Sequence, residues 1–164
     1  SKTLLKKNYL FTQISNLNKT LKVDFNIKDP RMIISGLNPH AGENGEIGDE
    51  EILINKIIKK LKKKNIDITG TVSADSMLLN TKNYDCYVFM YHDQALIPFK
   101  FISEFSGVNY TGNLDVIRVS PDHGTAYNLK GSKKISDTSI KKCFILINKI
   151  NTNRFKNDES KKIT

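Results

Sequence analysis

Short apolar runs, each closing on a polar loop, alternate along this chain with segments of helical spacing. Leu10, Ile14, Leu17 and Leu21 recur at three- and four-residue intervals, which puts them on one face of a helix over residues 8–25. Asp29-Pro30 ends that helix, because the residue before a proline avoids the helical region. Met32, Ile33 and Ile34 read as a short buried strand that closes in Ser35-Gly36. The next helix runs from Asp49 to near Asn65, with Ile52, Leu53, Ile57 and Leu61 on one side. Residues 66–72 alternate apolar with small or polar residues, as a strand does. Tyr84 to Met90 reads as a buried strand. Leu96, Phe99, Ile102 and Phe105 suggest a short helix despite Pro98. Two strands, 107–111 and 116–119, flank a turn, and a last helix from Asp137 to near Asn153 carries Ile140, Phe144, Ile147 and Ile150 along one face. The polar residues beyond it are expected to fray. Helices and strands alternating in this way predict a layered α/β sandwich.

A chain of 164 residues can bury one sizeable core, and 38% hydrophobic with 9% aromatic residues is a globular composition. No run approaches the roughly 18 apolar residues of a membrane span. The first residues, Ser1 to Lys7, carry no secretory signal, so a cytoplasmic protein is expected. They also lack an initiator methionine, which suggests a chain that begins mid-protein or after a cleavage. Cys86 and Cys143 have no CxxC spacing and read as buried free thiols of a reducing compartment. The net charge of +9 raises the possibility of a polyanion partner. Against it, the excess is mostly lysine spread along helix faces. The densest group, Lys59, Lys60, Lys62, Lys63 and Lys64, closes a helix that opens with Asp49, Glu50 and Glu51, an order the helix dipole favours. Solvated faces are the preferred reading, with no nucleic acid and no membrane as partner, and the charge helps attract an anionic small substrate.

The loops that follow the strands carry the reactive groups. His92-Asp93-Gln94 comes directly after the Tyr84–Met90 run, where open α/β sheets hold their ligands. Imidazole there can bind a metal, transfer a proton or simply cap the turn. The loop 37–48 contains His40 and Glu43 among several glycines, and a loop of that length between core elements is uncommon unless functional. Ser73-Ala74-Asp75-Ser76 is a helix start, so Asp75 reads as a cap or as an acid. Ser120 to Ala126 is a glycine-containing turn that could seat a phosphate at a helix start. His40 and His92 could converge on one divalent metal, with a third ligand from His123, Asp75, Asp93 or another polypeptide.

Four motifs occur in one order: Gly36-Leu37-Asn38-Pro39-His40-Ala41-Gly42-Glu43, Ala74-Asp75-Ser76, Tyr91-His92-Asp93-Gln94-Ala95-Leu96 and Asp122-His123-Gly124-Thr125-Ala126. On these the chain resembles the C-terminal half of the 4-hydroxythreonine-4-phosphate dehydrogenase family of pyridoxal phosphate biosynthesis, from about residue 8 to residue 152. The resemblance implies an incomplete α/β/α sandwich of the isocitrate/isopropylmalate dehydrogenase-like type, a fragment of a two-domain chain. Residues 1–119 would form most of the metal-binding and dimerisation domain. Residues 120–164 would carry a nucleotide loop and a helix returning to the absent N-terminal domain. It implies His40 and His92 as metal ligands, with a third histidine outside this chain. Lys100, Asn109 and Arg118 would bind substrate, and Asp122, His123, Gly124, Thr125 and Ala126 would bind cofactor. Leu129-Lys130-Gly131-Ser132-Lys133 departs from the family's glycine-rich continuation.

The implied cofactors are a divalent metal (zinc, magnesium or cobalt) and NAD or NADP. The implied reaction is oxidation of 4-phosphohydroxy-L-threonine to 2-amino-3-oxo-4-phosphooxybutanoate, which decarboxylates to 3-amino-2-oxopropyl phosphate. Asp93 and Asp75 are candidates for proton transfer, and the implied assembly is a homodimer whose subunits share the metal site. Two other readings stand beside this one. One is a related dehydrogenase of another phosphorylated hydroxy acid. The other is a non-catalytic basic module that binds polyanions.

Overall fold

The central strand explains the arrangement of the first unit. In the computed structural model, which describes residues 7–38, 50–104, 106–122 and 137–162, Met32, Ile33 and Ile34 are all buried. Successive strand residues face opposite sides, so both faces of this strand are covered. The elements in order are α1 (Lys7–Val23), β1 (Arg31–Ser35), α2 (Glu50–Lys62), β2 (Asp67–Val72), a 3-10 helix (Met77–Asn83), β3 (Cys86–Val88), α3 (His92–Ser103), β4 (Val108–Thr111), β5 (Arg118–Pro121) and α4 (Thr138–Lys162). β1 lies between β2 and β3 and is parallel to both, with Ser35 opposite Val72 and Ile34 opposite Val88. β4 and β5 form a separate antiparallel pair.

Two compact units result, one of residues 1–22 with 27–95, the other of 23–26 with 96–164. This division by compactness is of a different kind from the boundary at residues 119 and 120 that the family resemblance implies. In the first unit the core is Ile14 of α1, the β1 triplet, Ile54, Ile57, Ile58 and Leu61 of α2, Ile68 of β2 and Met77. In the second, α4 meets β4 and β5 and buries Ser139, Cys143, Ile150 and Asn153. Among the described residues no helix is long and apolar enough to cross a membrane.

Several sequence expectations are corrected. The inward face of α2 is Ile54, Ile57, Ile58 and Leu61, while Ile52 is 44% exposed. Ile52 is two residues from Ile54, about 200° around the helix, so both cannot face inward. The Tyr84–Met90 strand shortens to Cys86–Val88 and is half-buried, because among the described residues it pairs with β1 alone. On α4 the buried positions are 139, 143, 150 and 153, and Ile140 and Phe144 are exposed. That helix also continues to Lys162 where fraying was expected. Both cysteines are free, Cys143 buried and Cys86 only half-buried, and burial pushes the Cys86 thiol up to about 11.

Candidate active site

Because β1, β2 and β3 run parallel, their carboxyl ends open on one edge of the sheet. Three segments leave that edge: Gly36-Leu37-Asn38 after β1, Ser73 to Ser76 after β2, and Phe89-Met90-Tyr91 into α3 after β3. The last of these delivers His92 as the first residue of α3, exposed, with Asp93 beside it in the first turn. A carboxylate there complements the helix dipole whatever else it does. Asp75 is also exposed, and its Oδ1 accepts a 2.9 Å hydrogen bond from the Ser76 amide. His40 and Glu43 lie outside the described residues, as do His123, Gly124, Thr125 and Ala126.

A polar clasp joins two of the three segments. Gln94 Oε1 accepts hydrogen bonds from Ser35 Oγ at 3.1 Å and from the Met90 and Tyr91 amides at 3.2 Å each. Its Nε2 donates to the Gly36 carbonyl at 3.5 Å. Ser35 Oγ in turn accepts from the Met90 amide at 3.1 Å. On the other side of Gly36, buried Glu51 accepts the Leu37 and Asn38 amides through Oε1 at 3.0 and 3.1 Å. Sequence reasoning gave Ser35 and Gln94 no role of their own and read Glu51 only as an acid at a helix start. One signal was available: Gln94 is the third residue of α3, the place from which a glutamine reaches back to the amide preceding a helix.

In the second unit, Asn109 on β4 stands opposite Ser120, and Arg118 on β5 opposite Thr111. Facing pairs and next-nearest residues share a side of a sheet, so Asn109 and Arg118 lie diagonally on one face, where both are exposed. Arg118 Nη1 donates to Thr111 Oγ1 at 3.0 Å. Lys100, in the last turn of α3, is not free. Its Nζ makes a 2.6 Å ion pair with Asp122 Oδ2 and a 2.8 Å hydrogen bond to the Asp122 carbonyl. The Asp122 amide donates to the Gly107 carbonyl at 3.1 Å. Asp122 is thus the one described member of the expected cofactor loop, and its carboxylate is engaged by a lysine expected to bind substrate.

Among the described residues no three His, Cys, Asp or Glu side chains lie together as a metal cluster. These residues alone therefore do not complete a metal site. An exposed imidazole with a neighbouring carboxylate does suit one position in a shared divalent site.

A parallel sheet packed with helices, with a histidine opening the helix that leaves its carboxyl edge, places the chain in the α/β class, whose open sheets take their ligands at that edge. The family model described as pyridoxal phosphate biosynthetic protein PdxA matches residues 2–147, and the chain belongs to that family. It is 43% identical over 134 residues to the 4-hydroxythreonine-4-phosphate dehydrogenase of Sulfurihydrogenibium sp., covering 81% of this chain and 41% of that protein. To the enzyme of the same name from Zymomonas mobilis it is 48% identical over 123 residues, covering 73% of this chain and 37% of that one. Its fold matches the crystal structure of the Klebsiella pneumoniae 4-hydroxythreonine-4-phosphate dehydrogenase with a TM-score of 0.75 and 33% identity, over 88% of this chain and 44% of that one. It also matches a terephthalate 1,2-cis-dihydrodioldehydrogenase from Burkholderia xenovorans with a TM-score of 0.67 and 25% identity, over 86% and 45% of the two chains. The fold is accordingly the isocitrate/isopropylmalate dehydrogenase-like one. The chain spans about two fifths of the length of the curated relatives it matches.

Proposed function

We propose that this chain supplies the metal-binding and substrate-phosphate side of a dehydrogenase that oxidises 4-phosphohydroxy-L-threonine, whose 3-keto product loses carbon dioxide to give 3-amino-2-oxopropyl phosphate. The observation that carries the reading is a His92 turn held at the carboxyl edge of a parallel sheet, in a chain of the PdxA family. His40 and His92 would hold zinc, magnesium or cobalt with a third ligand from outside this chain. When bound, such a metal supplies Lewis-acid polarisation of the substrate hydroxyl. NAD or NADP, when bound, accepts the hydride.

The remaining chemistry belongs to this chain's own side chains. Arg118 offers a planar, bidentate grip on a phosphate or carboxylate, with one guanidinium nitrogen tethered to Thr111. Asn109, diagonal to it on the same face, contributes neutral hydrogen bonding. Lys100 adds a point charge for an anion that displaces its ion-pair partner Asp122. Asp93 and Asp75, both exposed, are the candidates for moving a proton. The nucleotide is assigned to the segment from Asp122 to Ala126, in the part of the chain from residue 120 onward. A homodimer in the cytoplasm with a metal site shared between subunits completes the reading. Exposed apolar residues on α3, Ile97 at 72% and Phe101 at 86%, support a face that a second chain covers.

The test is the full gene product, loaded with each metal in turn and given 4-phosphohydroxythreonine with NAD or NADP. Reduced nicotinamide should form, and His40→Ala and His92→Ala should each abolish specific metal uptake. A second reading keeps the scaffold and changes the substrate to another hydroxylated acid or diol. The likeness to the dihydrodiol dehydrogenase favours it. Metal-loaded protein that ignores the phosphothreonine but oxidises another such substrate would decide for it.

A further inference from the structure

We infer that Gln94, acting with Ser35, is the positioning residue for the histidine-bearing edge, and this rests on the metal reading proposed above. Gln94 is not itself a ligand. Its amide is the point where the turn leading to His92 and the segment leaving β1 are fastened to each other.

Three features assign that role. Gln94 uses its two ends for two different tasks: Oε1 gathers the Met90 and Tyr91 amides and the Ser35 hydroxyl, and Nε2 reaches the Gly36 carbonyl. The first task fixes the backbone immediately before His92. The second fixes the backbone that leads out of β1 in the direction of His40. Ser35, fully buried, closes the triangle by donating to Gln94 and accepting from Met90. Only a side chain that both accepts and donates can do this, which is why an amide serves where a carboxylate would not. A half-buried, satisfied polar network of this kind, closed on a buried serine, specifies a geometry more sharply than apolar packing would. Two residues brought from separate strand ends to one metal must hold their separation closely, and partners beyond the ligands usually set it.

The chemistry separates the two tasks by mutation. Gln94→Glu keeps an acceptor for Met90, Tyr91 and Ser35 but sets a carboxylate oxygen against the Gly36 carbonyl. Gln94→Ala loses both tasks, and Ser35→Ala loses the hydroxyl bridge.

The experiment measures zinc affinity of the full gene product by calorimetric competition with a chelator, alongside hydrogen exchange of the Met90 and Tyr91 amides. Gln94→Ala should weaken zinc binding by at least about tenfold, the usual effect of removing an outer partner, and should speed exchange at both amides. Gln94→Glu should restore slow exchange at both amides while zinc binding stays weak. A merely stabilising glutamine would not split the two readouts in that way. His92→Ala is the control that keeps the two hypotheses apart. If it leaves zinc binding intact, the metal reading is wrong. If it abolishes zinc binding while Gln94→Ala and Gln94→Glu bind as the wild type does, the metal reading stands and the positioning role is refuted.

Discussion

At the residue scale, Gly70 shows what this sheet demands of single positions. It lies in β2 with φ at +141°, a conformation L side chains rarely adopt. A Cβ built there would meet the Ile34 carbonyl oxygen at 2.5 Å and Ile34 Cγ2 at 2.6 Å. Neither neighbour can yield, because Ile34 is wholly buried in the central strand. The β1–β2 register shifts between Ile33 and Ser35, next to this contact. Gly70→Ala therefore combines an overpacked contact with a disfavoured backbone, each costing about 1–3 kcal/mol. The midpoint of thermal unfolding should fall by roughly 10 °C, given about 2–4 °C per kcal/mol for a chain of this size. A variant that melts within about 2 °C of the wild type would show that the strand can shift at little cost.

At the scale of elements, α4 is held to β4 and to residues 23–26 by polar groups as much as by apolar ones. Asp24, 3% exposed, receives Arg154 Nε on Oδ1 at 2.6 Å and Arg154 Nη2 on Oδ2 at 3.2 Å. It also receives the Tyr110 hydroxyl on Oδ2 at 2.5 Å. Asn153 Nδ2 donates to the Asp24 carbonyl at 2.8 Å, and Asn157 Nδ2 to that of Val23 at 3.3 Å. Arg154→Met would leave a buried carboxylate without its cation and should cost about 3–5 kcal/mol by urea unfolding. The Tyr110 hydroxyl is pushed up to about 12, first by burial and then by the hydrogen bond to Asp24. Its neutral form is the one the fold favours. The stabilisation is therefore complete below the ordinary tyrosine value near 10 and is lost as pH rises towards 12. Wild type should exceed Tyr110→Phe in stability by a constant margin up to about pH 10, and that margin should shrink above it. A margin that does not change with pH would show that Tyr110 titrates normally.

These contacts also mark where the sequence stops being readable. The three strands of the sheet were legible because Met32–Ile34 and Tyr87–Met90 are apolar runs and residues 66–72 alternate, each bounded by turn residues, although the last strand proves shorter than its run. His92 could be placed just beyond a strand for the same reason, although it opens α3 where a loop was expected. The inward face of α4 could not be read, since Ser139, Asn153, Arg154 and Asn157 are polar. Asp24, the partner of Asn153 and Arg154, lies 130 residues from Arg154, a relation with no local period. Ile140 and Phe144 look like a core stripe and are exposed. Among the expected functional residues and their neighbours, the ion pair of Lys100 with Asp122 in one unit and the Gln94 clasp in the other are likewise tertiary facts. The clasp alone left a trace, in the glutamine at the third helical position.

At the scale of the molecule, the uneven burial of apolar side chains is the feature with consequences. The second unit leaves Ile97, Phe101 and Ile102 of α3 and Phe144, Ile145 and Phe155 of α4 exposed, each above 60%. So much apolar surface carries a drive to associate. The same chain carries a net charge of +9, with Lys59, Lys60, Lys62, Lys63 and Lys64 all exposed, and that charge opposes association of like chains. Salt acts on only one side of this balance, since it screens the lysines over about 8 Å at physiological strength and leaves apolar burial nearly untouched. Sedimentation of the 164-residue chain should therefore show self-association that strengthens as salt is raised. Phe101→Asp should shift it towards monomer, because a charge on a covered apolar face costs several kcal/mol of binding. Association through a bound polyanion would behave in the opposite way, weakening with salt by release of counterions. A chain that stays monomeric at high protein concentration and high salt would mean that these side chains are not covered by a second copy, and the proposed homodimer would lose its main support.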